Sequence, residues 1–424
     1  MQKKVIFFTQ GCRTNQAETQ ILTGQLANKG CQIVKSISDA EIAIVNTCIV
    51  TKNADKDIQS LINKINRQNP DIKIVLIGCQ SQIRKQELLG LPNVKLVIGN
   101  ENKMNLVELL STQIETINPK VLVPEISGNP FKSETFPEKQ SRTRANLKIQ
   151  DGCNSYCSYC IVPYARGPSR SREFENILEE AIKLISFGFK EIVLTGINIG
   201  LYQYQEKTFI DVLSAVADIS KNCRIRISSI EPMAINSDII SLIANHPQIC
   251  RFLHIPLQSG SDKILEKMDR KYTTADFQKL ILDAKNVIPN IGLGTDVIVG
   301  FPGETDADFN DTYAFLKQLP LSYFHVFPYS KREGTKSAGL KDTVSISKIQ
   351  ERSAKLRALS QEKKSTFYKS QLDSTHNVLF EEKKQGYWTG FTDNYIRIHI
   401  KSNQNLQNQL KSVKIGILNE KRIY

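Results

Sequence analysis

The chain has 424 residues, 40% of them hydrophobic, with 56 Lys and Arg against 43 Asp and Glu for a formal net charge of +13. That length predicts two or three domains, while an opening MQKKVIFFTQGC and the absence of any long apolar run exclude a secretory leader and a membrane span and predict a cytoplasmic chain. The basic excess points to a polyanionic partner, nucleic acid first, and nine cysteines without a secretion signal read as reduced thiols available to metals.

Residues 1–112 alternate strands and helices. VIFFT (5–9), QIVKS (32–36), IAIVN (42–46), IKIVLI (72–77) and VKLVI (94–98) are short β-branched runs, and amphipathic segments such as 51–68 separate most of them. This is the pattern of an open parallel sheet covered by helices. Residues 113–142, with Pro124, Gly128, Pro130 and Pro137, read as a linker. A second α/β series occupies 143–370, with strand candidates NLKI (146–149), EIVLTG (191–196), RIRISS (224–229), RFLHIP (251–256), GLGTDVIVG (292–300) and YFHVFPY (323–329). Six such units predict a partial or full (β/α) barrel, whose ligands collect at the carboxyl ends of the strands. The stretch 345–370 reads as a charged helix. Residues 371–424 change to HNVLFEE, GYWTGF and NYIRIHI, separated by turn signals, and read as a small antiparallel β-barrel. The fold class is therefore α/β with a β appendage.

Cys153, Cys157 and Cys160 form a C-x3-C-x2-C loop that hangs from NLKI. Thiolates so spaced cap one corner of an iron–sulfur cube and leave one iron open to a ligand. Zinc normally takes a closed set of four, and no fourth Cys or His lies near this loop. Cys12 in TQGCRTN, Cys48 in NTCIVT and Cys79 in IGCQSQ each follow a different strand candidate. That is the edge where open α/β sheets bind ligands. One such cysteine is ordinarily a packing residue; three at equivalent ends predict a second three-thiolate cluster. Cys31, Cys223 and Cys250 lack this placement.

Further polar residues follow the strands of the second series: Gly196, Asn198, Glu231, Gln258, Asp296 and the run that begins at Val299. Together they describe a pocket at the mouth beside the Cys153 loop, for a ligand carrying amino, carboxylate and ribose groups. Tyr159 either packs on a purine ring or belongs to the core. Arg166, Arg170 and Arg172, with Lys148 nearby, are expected to contact the phosphate backbone of RNA, a solvated face being the alternative. Trp388 and Arg397, among Tyr387, Phe391 and Tyr395, either stack bases and hold phosphates or supply the core of the small barrel.

TQGCRTNQAET, VNTCIVT, IGCQSQ, DGCNSYCSYCIVPYARGPSRSR, LQSGSDKILEKMDRKYT, DVIVGFPGETDADF and FHVFPYSKREGT together resemble the radical S-adenosylmethionine methylthiotransferases over almost the whole chain. The resemblance implies an N-terminal methylthiotransferase domain, a radical-SAM partial barrel and a TRAM-like C-terminal module, here abbreviated. It implies two [4Fe-4S] clusters. The one on Cys153, Cys157 and Cys160 would bind S-adenosyl-L-methionine and start radical chemistry. The one on Cys12, Cys48 and Cys79 would hold the sulfur to be delivered. It also implies a tRNA anticodon loop as partner, with an electron donor and a sulfur source. NQAET, TKNADKDIQSLINKINRQNP and HVFPYSKREGT resemble most the group that acts on N6-threonylcarbamoyladenosine. The other groups act on N6-isopentenyladenosine or on a ribosomal-protein aspartate. Glu333 stands where Pro is frequent in the family. The rival class is a metal-stabilised RNA-binding protein with no catalysis.

Overall fold

The computed structural model describes residues 3–114, 118–134, 136 and 143–416, and the backbone of the short strands Leu418–Asn419 and Arg422–Ile423. Pro137 and the rest of 137–142 in the expected linker lie outside the described residues.

Six parallel strands build the N-terminal sheet: β1 (Lys4–Thr9), β2 (Gln32–Ile33), β3 (Ile42–Thr47), β4 (Lys73–Gly78), β5 (Val94–Ile98) and β6 (Lys120–Leu122), in the order β2-β1-β3-β4-β5-β6. β3 and β4 are central and covered on both faces, which is why they read as near-continuous Ile and Val. Alternate residues serve opposite cores. Ala43, Val45 and Leu76 meet Ile58, Ile62 and Ile65 of helix α2 (Lys52–Gln68). Ile44, Val75 and Ile77 join Leu22 and Leu26 of helix α1 (Arg13–Asn28) on the other side. β6 corrects the linker reading of 113–142, since Val121 pairs with Val97 and extends the sheet. Its apolar run is too short to stand out among prolines, and only the exposed edge of β5 makes it a strand.

The central unit holds all six expected strands, β7 (Arg144–Lys148) followed by Glu191–Thr195, Arg224–Ile227, Phe252–His254, Gly292–Val299 and Tyr323–Pro328, all parallel. Two three-stranded sheets are joined through a bridge between Ser229 and His254. Among the described residues the last strand does not pair with the first, so the barrel is partial. Inside its amino-terminal end, burial pushes the Glu191 carboxyl up, but Arg226, Arg224 and Arg144 outweigh that and hold it well below the usual range. Arg226 Nε lies 2.9 Å from Glu191 Oε1.

A long helix, Ile346–Lys369, leads to a mainly antiparallel sheet of Thr375–Lys384, Tyr387–Phe391, Arg397–Ile400 and Leu410–Lys414. Asn394 anchors this sheet to the barrel by donating to the Asn290 carbonyl at 2.9 Å. Trp388 corrects one expectation. It packs with Val378, Phe380 and Ile398 in the core of this sheet and offers no face to a base. So small a unit needs its largest apolar side chain inside. Arg397 is exposed. Among the described residues, no helix is long and apolar enough to cross a membrane.

Candidate functional site

β1, β3 and β4 are neighbours, so the residues after them meet at one end of the sheet. Cys12, Cys48 and Cys79 are close enough to act on one another electrostatically. Gly11 sits at φ +91°, and a Cβ there would lie 2.7 Å from Cys48 Sγ, so only glycine permits this approach. Burial pushes the Cys48 thiol up to about 11 against a Val50 backbone hydrogen bond. Such a thiol ionises readily only when a cation such as a metal joins it.

The second trio is ordered by its own turn and by the barrel. The Cys160 N–H donates to the Cys157 carbonyl at 2.9 Å. Cys153 Sγ accepts from the Ser155 N–H at 3.4 Å, with Asn198 Nδ2 at 3.9 Å. Cys157 Sγ accepts from Arg270 Nη1 at 3.2 Å, and the same guanidinium is paired to Glu231. All nine cysteines are free thiols. Gly152 opens the loop at φ +70°, where a Cβ would collide with the Pro168 carbonyl. Gly152→Ala is therefore expected to destabilise the protein by about 1–3 kcal/mol through backbone strain alone, read as a lower denaturant midpoint. It should also lower the iron bound at the adjacent Cys153.

The two trios are tied together. Ile161, directly after Cys160, packs with Ile49, Cys79 and Ala165. Behind them lies a buried ionic cluster that spans both units. Glu18 of α1 is 2.6 Å from Lys103, 2.7 Å from Lys148 and 2.9 Å from Arg166. Asp151 is 2.7 Å from Lys148, 2.8 Å from Arg166 and 3.3 Å from Arg170, which also reaches Glu101 at 3.0 Å. Arg172 is fully buried and paired to Glu180. Arg166, Arg170 and Arg172 therefore do not contact phosphate. Their charges are consumed by carboxylates brought in from α1 and from elements around the loop. Four cations, Lys103, Lys148, Arg166 and Arg170, face three carboxylates, Glu18, Glu101 and Asp151. The remaining positive charge is turned on Cys79, whose Sγ accepts from Arg166 Nε at 3.1 Å. A metal-bound thiolate at Cys79 matches that excess.

The other expected ligand residues separate into groups. Asn198 is buried beside Cys153 with its Oδ1 unpartnered, and Thr195 Oγ1 and Ser228 Oγ are likewise buried without partners among the described residues. Polar atoms left open at neighbouring strand ends fit a polar ligand next to the loop. Glu231 is held there by Arg270. Gly196 is packed against Gln150, and its carbonyl accepts from Thr14 Oγ1 at 3.0 Å, so it serves the contact between units. Gln258 adopts φ +70° and its backbone bridges to Val297. Tyr159 packs with Ile264, Met268 and Phe301. One expectation is corrected. The Val299 side chain lies in the barrel's apolar core, with its carbonyl engaged by the Tyr329 N–H at 2.8 Å. Asp296 lines a cavity of about 850 Å³ whose wall includes Gly11 and Cys12. Strand alternation separates the two: positions 296 and 299 differ by an odd number and point to opposite faces.

Residues 4–99 match the uncharacterized protein family UPF0004, and residues 147–316 match the radical SAM superfamily. The chain is 36% identical to a threonylcarbamoyladenosine tRNA methylthiotransferase MtaB of Bacillus subtilis, over 97% of this chain and 93% of that protein. The chain belongs to the radical S-adenosylmethionine methylthiotransferases. Another relative of this methylthiotransferase is the MtaB of Aquifex aeolicus, 37% identical over 93% of this chain and 96% of that protein. A tRNA-2-methylthio-N(6)-dimethylallyladenosine synthase of Lachnoclostridium phytofermentans is 33% identical over 96% and 92% of the two chains. The radical S-adenosylmethionine methyltransferase TsrM from Kitasatospora setae shares the fold with a TM-score of 0.58 at 15% identity, over 77% of this chain and 75% of that one. A radical S-adenosylmethionine methylthiotransferase uses S-adenosylmethionine with a [4Fe-4S] cluster, and the Cys153 loop is where the matched superfamily region begins.

Sequence reading missed several residues of this methylthiotransferase's site. Arg270, within the motif KMDRKYT, is the guanidinium on Cys157. Arg13 follows Cys12 directly and lines the cavity, as do His254 and His325 from two barrel strands. Adjacency to a candidate metal-ligating cysteine is the signal that could have found Arg13. His254 and His325 carry none, since each is a single histidine in an otherwise apolar strand.

Proposed function

We propose that this enzyme adds a methylthio group to C2 of N6-threonylcarbamoyladenosine at position 37, beside the anticodon of tRNA. One observation carries the reading: two sets of three free cysteines sit in separate units that pack together where Ile161, next to Cys160, meets Cys79, and Cys12 lines a cavity large enough for a modified base. The names of the relatives supply the RNA class. Cys153, Cys157 and Cys160 would hold the cluster that engages S-adenosylmethionine, with Asn198 and Glu231 at its polar end. Cys12, Cys48 and Cys79 would hold a second [4Fe-4S] cluster on the side from which sulfur is delivered. When bound, these groups supply one-electron chemistry able to substitute an aromatic C–H that offers no acid–base route. The protein's own residues orient and shield. Arg270 and Arg166 each donate to one thiolate, which stabilises its negative charge and tunes the cluster held there. The ionic cluster of Glu18, Asp151 and Arg166 holds the two units in register. An external electron donor and a sulfur source complete the reaction. An unpaired anticodon-loop base enters such a cavity at modest cost.

Mass spectrometry of tRNA nucleosides from cells lacking this gene tests the proposal. The expected result is loss of the 2-methylthio form of N6-threonylcarbamoyladenosine, accumulation of its precursor, and restoration by the wild-type gene. Loss of the methylthiolated isopentenyladenosine instead would transfer the assignment to that substrate.

A further inference from the structure

The cavity beside Cys12 is lined by side chains from all three units, and its charges do not balance. Arg13 comes from α1, Lys364 from the long connecting helix and Arg397 from the C-terminal sheet. Among the described residues none of these three cations has a carboxylate partner. They are near one another and near the barrel wall. Arg13 acts electrostatically on Tyr323, Arg397 acts on Lys364, and Lys364 acts on His325. A further cation, Arg226, is already neutralised by Glu191. The one acid on the wall, Asp296, is taken by His254, whose Nε2 lies 2.9 Å from its Oδ1. Among the described residues the cavity therefore carries three positive charges without a carboxylate partner, and Lys364 is half-buried. Its walls also hold a run of flat rings. His325 lies 5.2 Å from Tyr323 and 6.2 Å from Phe327, centroid to centroid, and Phe252 stacks on Tyr395 at 4.7 Å.

Flat rings with unpaired cations around them suit an aromatic base whose substituent ends in an anion. We infer that Arg13, Lys364 and Arg397 form a subsite for the carboxylate of an amino-acid-like N6 substituent on the target adenine, and so select that base over one with an uncharged alkyl substituent. This rests on the reading of a methylthiolated, N6-substituted adenosine given above. A threonylcarbamoyl group brings one carboxylate and one hydroxyl into the cavity and answers the positive charge. An isopentenyl group would instead set apolar surface against cations that lose water and gain no partner. The same cations could hold an RNA phosphate, which shares the anionic chemistry, and the test separates the two sources.

The reconstituted holoenzyme is titrated with anticodon stem-loops identical in sequence and carrying adenosine, N6-threonylcarbamoyladenosine or N6-isopentenyladenosine at the target position. Wild type is expected to prefer the threonylcarbamoyl form over plain adenosine by about tenfold or more, the effect of a charge-assisted contact. Lys364→Gln/Arg397→Gln should erase that preference and leave the affinity for the plain adenosine stem-loop unchanged. Arg13→Gln should also lower the preference, and Lys364→Glu should invert it. Equal weakening on all three RNAs would assign the cations to backbone phosphates and overturn the subsite. A wild type that shows no preference yet still makes the methylthiolated threonylcarbamoyl product would overturn the subsite and leave the substrate assignment standing. Turnover of the isopentenyl stem-loop alone would overturn both.

Discussion

Cys157→Ala is expected to leave a folded protein with about half the iron of wild type and no cleavage of S-adenosylmethionine. Three cysteines are proposed to hold the cluster in this loop, and the variant leaves two of them. Arg270, which donates to Cys157 Sγ at 3.2 Å, would lose that acceptor and keep Glu231. The cysteines of the N-terminal sheet sit in a separate unit and should keep their own iron. Iron and sulfide analysis of the anaerobically reconstituted variant, with chromatography of the cleavage products, reads both effects. Cleavage at the wild-type rate would remove the Cys153 loop from the proposed chemistry. An unchanged iron content would place the metal elsewhere.

Arg166→Met should have the largest effect on stability. The guanidinium is fully buried and satisfied by Glu18, Asp151, Asn15 and Cys79 at once. Its removal leaves two buried carboxylates short of a partner, which costs about 3–5 kcal/mol. Anaerobic denaturant unfolding should show that loss, and reconstitution should show less iron on the N-terminal cysteines. A midpoint within error of wild type would mean the ionic cluster does not hold the units together. The same cluster sets an acid limit. Burial pushes the Glu18 carboxyl up, but Arg166, Lys103 and Lys148 outweigh that and hold it well below its ordinary 4.5. Asp151 is likewise held well below 3.8, with Arg166 again the largest of the lowering charges. Below those ordinary values the unfolded chain takes up protons that the native state refuses. Their stabilisation is therefore complete above pH 4.5 and is lost as pH falls through the native values.

Much of the fold was legible because parallel strands covered on both faces read as continuous Ile and Val runs. β3 and β4 are of this kind. β6 was not, since three half-buried residues in a proline-rich stretch carry no periodic pattern and become a strand only against β5. The six proposed metal ligands were legible for a different reason. Strand ends and loop spacing put thiols at ligand-binding edges, and a cysteine keeps its chemistry whatever packs around it. The arginines were misread because charge in sequence has no address. Arg166 finds its carboxylate 148 residues earlier, in α1. Trp388 was open between core and surface, and the small size of its sheet settled it.

Sequence alone determined the order of the units, most of the strands and the membership in a radical S-adenosylmethionine methylthiotransferase family. Those features depend on local patterns and on residue types at fixed spacing. Tertiary structure decided which charges are consumed and which stay free. It buried Arg166, Arg170 and Arg172 against acids brought from afar, and it left Arg13, Lys364 and Arg397 unanswered around one cavity. The reason is electrostatic: a charge acts through its nearest partners in space, and chain distance does not reveal them.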